Sequence, residues 1–223
     1  MWLRGSKSAF NFENMKNSAR KRAKKQAMGL QQMMDASERL RLYHDAEALR
    51  EPARKSTPRP LVFLDFDDVI CINSVYGGYD VLAPNPPADI WEKLFHPPAV
   101  QTLLTIIEVH QPWVVITTSW LRFMDRPAVE TILSRAGLAP VAAALHPLAW
   151  DAEQLHGTTR FDAIARWLEK HHQGEPLVVL DDEASGTGLR GSKLYKAGRV
   201  VLCEVGVGLH IGHLAAVAKA LKS

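Results

Sequence analysis

The chain has 223 residues, of which 47% are hydrophobic and 23% are charged, a balance typical of a globular protein with a buried core. It contains no apolar run near the roughly 20 residues that a membrane-spanning helix needs, and no apolar secretory signal at its start, so we expect a cytoplasmic protein without membrane contact. Two cysteines, Cys71 and Cys203, are too few for a disulfide framework or a cysteine metal centre, and we expect buried thiols.

Residues 1–60 differ in charge from the remainder. They hold 14 Lys/Arg and 6 Asp/Glu, whereas residues 61–223 hold 13 and 18. A loose stripe of Met and Leu between residues 18 and 50 predicts a helical, partly disordered extension, and three prolines between residues 52 and 60 predict a linker. A basic arm on an acidic domain indicates an anionic partner such as nucleic acid, with a solvated helix face as the alternative. We therefore predict an extension over residues 1–60 and one domain over residues 61–223.

Short apolar runs alternate with helical patterns from residue 61 onwards. Strands are predicted at 61–64, 113–116, 177–180 and 200–203, with a shorter one near 141–145. Helices are predicted at about 98–110, 127–137, 159–174 and 213–221. Gly77-Gly78 lies in a turn-rich segment and suits a hairpin. This alternation predicts a three-layer, Rossmann-like α/β fold with a parallel sheet.

Polar side chains follow three of the predicted strands. Asp65 and Asp67 follow the first strand, Thr117 the second, and Asp181 with Asp182 the third. Ligands of parallel sheets bind beyond the carboxyl ends of the strands. Clustered carboxylates repel one another and need a cation, and hard oxygen ligands favour Mg²⁺, which also shares phosphate oxygens. Aspartates that only cap turns are the alternative, but two independent caps would have no reason to converge.

Four segments carry a resemblance to the haloacid dehalogenase-like (HAD) phosphohydrolases. Asp65-Phe-Asp67-Asp-Val-Ile70 resembles their first signature, and the apolar strand that ends in Thr117 resembles the second. Arg160 stands where the family places Lys or, less often, Arg, and the strand that ends in Asp181-Asp182 resembles the fourth signature. The resemblance covers roughly residues 61–205. The Thr-Thr-Ser-Trp and Leu-Asp-Asp-Glu segments resemble a branch found in RNA-repair ("Swiss army knife") proteins.

The resemblance implies roles for these residues. Asp65 would attack phosphorus and form an aspartyl-phosphate. Asp67 would protonate the leaving oxygen and then deprotonate the water that hydrolyses the intermediate. Mg²⁺ would bind Asp65, the backbone carbonyl of Asp67, and Asp181. Thr117 would hydrogen-bond a phosphoryl oxygen, and Arg160 would stabilise its charge.

Three of these assignments keep an alternative. Thr118 can replace Thr117, because a shift of one residue at a strand end is beyond sequence reasoning. Asp182 can share or take the metal-binding role of the preceding Asp181. If Arg160 is a surface residue, Lys193 or Lys196 is the next candidate for the phosphate-binding cation.

The expected substrate is a phosphomonoester in an open site. The segments at residues 71–97 and 119–159 are too short for a separate cap domain. Together with the basic arm, this favours a nucleic-acid end, with a nucleotide, a phosphosugar or a phosphoprotein as alternatives. Trp120 and Arg122 follow Thr117 and are candidates for substrate binding, with core packing as the alternative for Trp120. A different class of function is a catalytically weak binding module whose basic arm contacts nucleic acid or protein. The oligomeric state stays open.

Overall fold

The structure is a computed structural model that describes residues 59–72, 75–150, 157–183 and 187–222. The predicted helix and basic arm lie outside these ranges, and so does nearly all of the predicted linker. The extension, its anionic partner and the boundary at residue 60 therefore stay predictions.

Four parallel strands form one sheet in the order β2-β1-β3-β4, with β1 at Leu61–Leu64, β2 at Trp113–Ile116, β3 at Leu177–Asp182 and β4 at Val200–Cys203. All four predicted strand positions are confirmed. β3 continues two residues further than predicted, because Asp181 and Asp182 pair with Leu202 and Cys203. The α/β, Rossmann-like prediction is confirmed.

Helices cover both faces of the sheet. Their bounds are α1 Gly78–Val81, α2 Ile90–Lys93, α3 Pro97–His110, α4 Arg126–Arg135, α5 Ala139–Ala143, α6 Arg160–His171, α7 Lys193–Lys196 and α8 Leu214–Ala220. Alternate residues of β1 point to opposite faces, as the pleat requires. Phe63 meets Trp167 of α6 edge to face at 5.2 Å between ring centroids, whereas Val62 and Leu64 join the larger core under α3, α4 and α8. The sheet thus forms the middle of three layers.

Two local predictions were wrong. Gly77-Gly78 does not form a hairpin but starts α1, where the Gly77 N–H donates to the Asp80 carboxylate at 2.7 Å. A Cβ on Gly78 would lie 2.7 Å from the ring of Trp120, so the glycine allows this segment to pack directly on that ring. The close approach depends on a residue 42 positions away, which local turn statistics do not include.

The predicted strand near residues 141–145 was the second error. Residues Ala139–Ala143 form α5, with Pro140 in its first turn, where proline favours helix initiation. Leu145 forms only an isolated bridge to Val114 of β2. The alanines in this segment favour a helix by propensity, and the apolar pattern cannot distinguish a short buried helix from a strand.

Two further sequence features can be placed in the fold. Cys71 and Cys203 are buried free thiols, as expected, and burial raises the pKa of each to about 12. Within the described ranges, the structure contains no helix with the length and apolar character to cross a bilayer.

Candidate active site

The register of the sheet brings the predicted residues to one edge. The Asp65 N–H donates to the carbonyl of Leu180 at 3.0 Å, and the Thr117 N–H donates to the carbonyl of Leu64 at 2.9 Å. These bonds continue the ladders of β1 with β3 and of β2 with β1 by one residue. Asp65, Thr117 and Asp181 therefore lie side by side where the strands end.

Three carboxylates form a buried cluster at this edge. Asp65, Asp181 and Asp182 each offer an oxygen, and the three oxygens lie within 4.8 Å of one another. Among the described residues, Oδ2 of Asp65 and Oδ2 of Asp181 have no hydrogen-bond partner, although both are fully buried. Oδ1 of Asp181 accepts the Asp182 N–H at 3.0 Å. Buried carboxylate oxygens normally have partners, so this arrangement fits a cation that prefers oxygen ligands.

The pKa values of the cluster reflect the same crowding. Burial raises the pKa of Asp65 to about 6, although Arg160 opposes the rise. Burial, together with repulsion from Asp65, raises the pKa of Asp181 to about 8. A divalent cation would remove the repulsion and return both groups to their charged forms.

Arg160 places a positive charge against the cluster. It is the first residue of α6, whose N-cap Thr159 forms a capping box with Asp162. Its Nη1 lies 2.7 Å from Oδ1 of Asp65 and 3.7 Å from Oδ2 of Asp181, and it donates to the carbonyl of Thr117. Only 5% of Arg160 is exposed. The surface alternative for this residue was wrong.

The charge of Arg160 is stabilised by its neighbours. Burial would lower its pKa, but Asp65 and Asp181 outweigh burial and raise it. Arg160 is shared between the buried carboxylates of Asp65 and Asp181, so one positive charge among the described residues balances two negative charges. Lys193 and Lys196, the candidates had Arg160 been a surface residue, are exposed on α7.

Asp67 has a different environment. Its carboxylate accepts the indole N–H of Trp120 at 3.1 Å (Oδ1) and 3.0 Å (Oδ2), and the hydroxyl of Ser119 donates to Oδ2 at 3.3 Å. Burial raises the pKa of Asp67, and the bonds from Trp120 and Ser119 offset part of the rise. The three-carboxylate cluster does not include this side chain. The predicted metal contact through the Asp67 carbonyl stays a prediction.

The two candidate threonines differ in their hydrogen bonds. The Thr118 side chain is the N-cap of a 3-10 turn, Ser119–Arg122, and accepts the Trp120 N–H at 3.4 Å. The hydroxyl of Thr117 is buried and, among the described residues, has no partner. An unpaired hydroxyl beside the carboxylates is available for a phosphoryl oxygen, which favours Thr117 over Thr118.

The two predicted substrate-binding residues have different surroundings. Trp120 is 2% exposed, and its ring packs edge to face on Phe66 at 5.2 Å between centroids. The ring is therefore part of the core, whereas its N–H donates to Asp67 in the site. Arg122 is exposed and lines a pocket of about 290 Å³ together with Asp67. Sequence reasoning missed Ser119, which directly follows the paired threonines, and two aromatic residues of this pocket, Tyr79 and Phe123.

Comparison with known families identifies the chain. The family described as "HAD domain in Swiss Army Knife RNA repair proteins" matches residues 61–213, more than half of the chain, and the chain belongs to that family. Membership supports a phosphohydrolase type of function, and this family resemblance was predicted from the four segments. Comparison with curated proteins finds no match, and comparison with solved structures finds none either.

Proposed function

We propose that this HAD domain is a Mg²⁺-dependent phosphomonoester hydrolase that uses Asp65 as its nucleophile. The observation that carries the proposal is the buried cluster beside Arg160, in which Oδ2 of Asp65 and Oδ2 of Asp181 accept no hydrogen bond from the described residues. A purely structural cluster would be expected to pair these oxygens, because an unpaired buried polar atom costs about 1–3 kcal/mol.

Asp65 and Asp67 take complementary roles in this mechanism. One carboxylate oxygen of Asp65 attacks phosphorus while the P–O bond to the leaving group breaks, giving an aspartyl-phosphate. Asp67 gives its proton to the leaving oxygen, and its raised pKa favours the protonated form that this step needs. It then takes a proton from the water that hydrolyses the aspartyl-phosphate.

The remaining residues stabilise charge. Arg160, held by Asp65 and by the Thr117 carbonyl, contacts the phosphoryl oxygens, and its position at the start of α6 adds the positive end of the helix dipole. Thr117 donates its hydroxyl to a phosphoryl oxygen. Asp65, Asp181 and Asp182 would hold Mg²⁺, which when bound neutralises charge on the phosphoryl group.

The proposed substrate is a phosphate at a nucleic-acid end or on a nucleotide. The name of the matched family refers to RNA repair, and residues 1–60 carry the basic charge that an anionic strand would attract. The segment between β1 and α3 contains only two short helices, α1 and α2, in its described part, which suits an open site for a large substrate.

Hydrolysis of p-nitrophenyl phosphate tests the proposal. Activity should require Mg²⁺, disappear with EDTA, and disappear in Asp65→Asn. Asp68→Asn is the matched control, because it also replaces a carboxylate with an amide in the same loop. Asn tolerates the positive φ of 53° at that position. Retained activity in Asp65→Asn would refute the nucleophile assignment. Absence of activity in the wild-type protein on this ester and on phosphorylated nucleotides would favour the binding-module alternative.

A further inference from the structure

The pocket beside Asp67 has an aromatic wall that the reaction itself does not use. Tyr79 of α1 stacks on Phe123, with 4.2 Å between ring centroids and 14° between ring planes. Phe123 therefore covers one face of the Tyr79 ring. Because Tyr79 is 74% exposed, its opposite face is accessible.

The position of this wall relates it to the leaving group. Tyr79 and Phe123 line the same pocket as Asp67, whose proposed task is to protonate the leaving oxygen. Whatever is attached to that oxygen must therefore extend toward this pocket. Its volume of about 290 Å³ is at the small end of the range for ligand sites, which suits one ring system and not a large macrocycle.

The wall is held in place by contacts within the domain. Gly78 packs against the ring of Trp120, and Tyr76 donates its hydroxyl to Asp89 at 2.7 Å. Cys71 donates to the carbonyl of Tyr76. An exposed aromatic ring on an anchored segment loses little conformational freedom on binding, which favours stacking.

We propose that Tyr79, stacked on Phe123, is the subsite for the nucleobase next to the scissile phosphate. Arg122, exposed on the same pocket, contacts the neighbouring phosphate when the substrate is a strand end. This inference rests on the proposed function, because the leaving group extends toward Tyr79 only if the phosphate is bound at Asp65. Stacking on aromatic side chains tolerates any base, so the subsite selects a nucleoside and not a sequence.

Binding to Asp65→Asn protein in the presence of Mg²⁺ tests the subsite without turnover. Calorimetry compares adenosine 5′-monophosphate with ribose 5-phosphate, which keeps the phosphate and sugar but lacks the base. We expect the nucleotide to bind about 10-fold or more tightly than the sugar phosphate. Tyr79→Ala should remove this preference without weakening ribose 5-phosphate, and Tyr79→Phe should keep it. Leu82→Ala is the control, since Leu82 is an exposed hydrophobic residue outside the pocket lining.

The outcomes separate the subsite from the proposed function. Equal binding of both compounds, or a preference that survives in Tyr79→Ala, would overturn the subsite even if the wild-type protein hydrolyses phosphomonoesters. A Tyr79-dependent preference with no hydrolysis by the wild-type protein would support the subsite and count against the phosphatase. A 3′-phosphorylated adenine tetranucleotide tests whether the bound nucleoside belongs to a strand end or to a free nucleotide. Weaker binding of the tetranucleotide in Arg122→Gln supports a strand end, whereas unchanged binding would overturn the role of Arg122.

Discussion

Replacing Trp120 by Phe removes the indole N–H that donates to the Asp67 carboxylate and keeps an aromatic ring against Phe66. The indole nitrogen lies 3.1 and 3.0 Å from the two oxygens of Asp67, and its N–H is the only polar group that the substitution removes. The bond stabilises the charged form of Asp67 and so lowers its pKa. Its loss should therefore raise the pKa of Asp67 further.

The size of the effect follows from the strength of such bonds. A hydrogen bond to a charged group contributes about 1.5–3 kcal/mol. At 1.36 kcal/mol for each pKa unit, the pKa of Asp67 should rise by about 1–2 units. The longer hydrogen bond from Ser119, at 3.3 Å, remains in the variant, so the rise in the pKa of Asp67 should lie toward the lower end of this range.

The assay is the pH dependence of kcat/KM for p-nitrophenyl phosphate with saturating Mg²⁺. Because Asp67 must be protonated to act on the leaving oxygen, its pKa sets the basic limb of the profile. Trp120→Phe should move this limb upward by about 1–2 pH units. The rate on the plateau should fall as well, since the carboxylate loses the group that orients it.

Trp167→Phe is the matched control for the loss of a buried indole. Trp167 is 1% exposed and its N–H donates to the Leu148 carbonyl at 2.8 Å, in the core on the α6 side of the sheet. The Trp167→Phe variant should have a lower melting temperature but an unchanged basic limb of the pH profile. If Trp120→Phe left the limb in place, or Trp167→Phe moved it equally, the reasoning about Asp67 would be wrong.

Two further predictions concern the buried charges, and a third concerns the contact of Gly78 with Trp120. Arg160→Met should destabilise the Mg²⁺-free protein by about 3–5 kcal/mol in urea unfolding, because the facing carboxylates lose their cation; an unchanged midpoint would contradict this. The folded-state pKa values of Asp65 and Asp181 exceed the ordinary 3.8, so the stability that their protonated forms contribute is lost as pH rises through about 6 and about 8. Mg²⁺ should therefore raise the melting temperature more at pH 8 than at pH 5.5, and a larger rise at pH 5.5 would refute the cation site. Gly78→Val should lower the melting temperature by displacing α1 from the Trp120 ring, whereas Gly77→Val, where a Cβ meets only Asp80 at 4.0 Å, should be milder.

Much of the fold could be predicted because its signals are local. β1 and β2 are four-residue apolar runs that each follow a proline, and such a run buried on both faces is typical of a parallel sheet. The helix that starts after Thr159 was predicted from its N-cap, which the structure confirms. α1 was missed because its deciding contact, the Trp120 ring beneath Gly78, comes from elsewhere in the chain. α5 was missed because a short apolar run fits a buried helix as well as a strand.

The candidate site divides in the same way. The positions of the acids after the first and third apolar runs, and of a threonine after the second, can be read from the sequence, and a parallel register gathers such residues at one edge. The burial of Arg160 against Asp65 and the bond from Trp120 to Asp67 across 53 residues become visible only in the folded chain. The same holds for the threonines: Thr118 caps a turn, whereas the Thr117 hydroxyl has no partner among the described residues. Apolar periodicity depends on neighbours along the chain, whereas a hydrogen bond or ion pair depends on the direction and distance of groups that folding brings together.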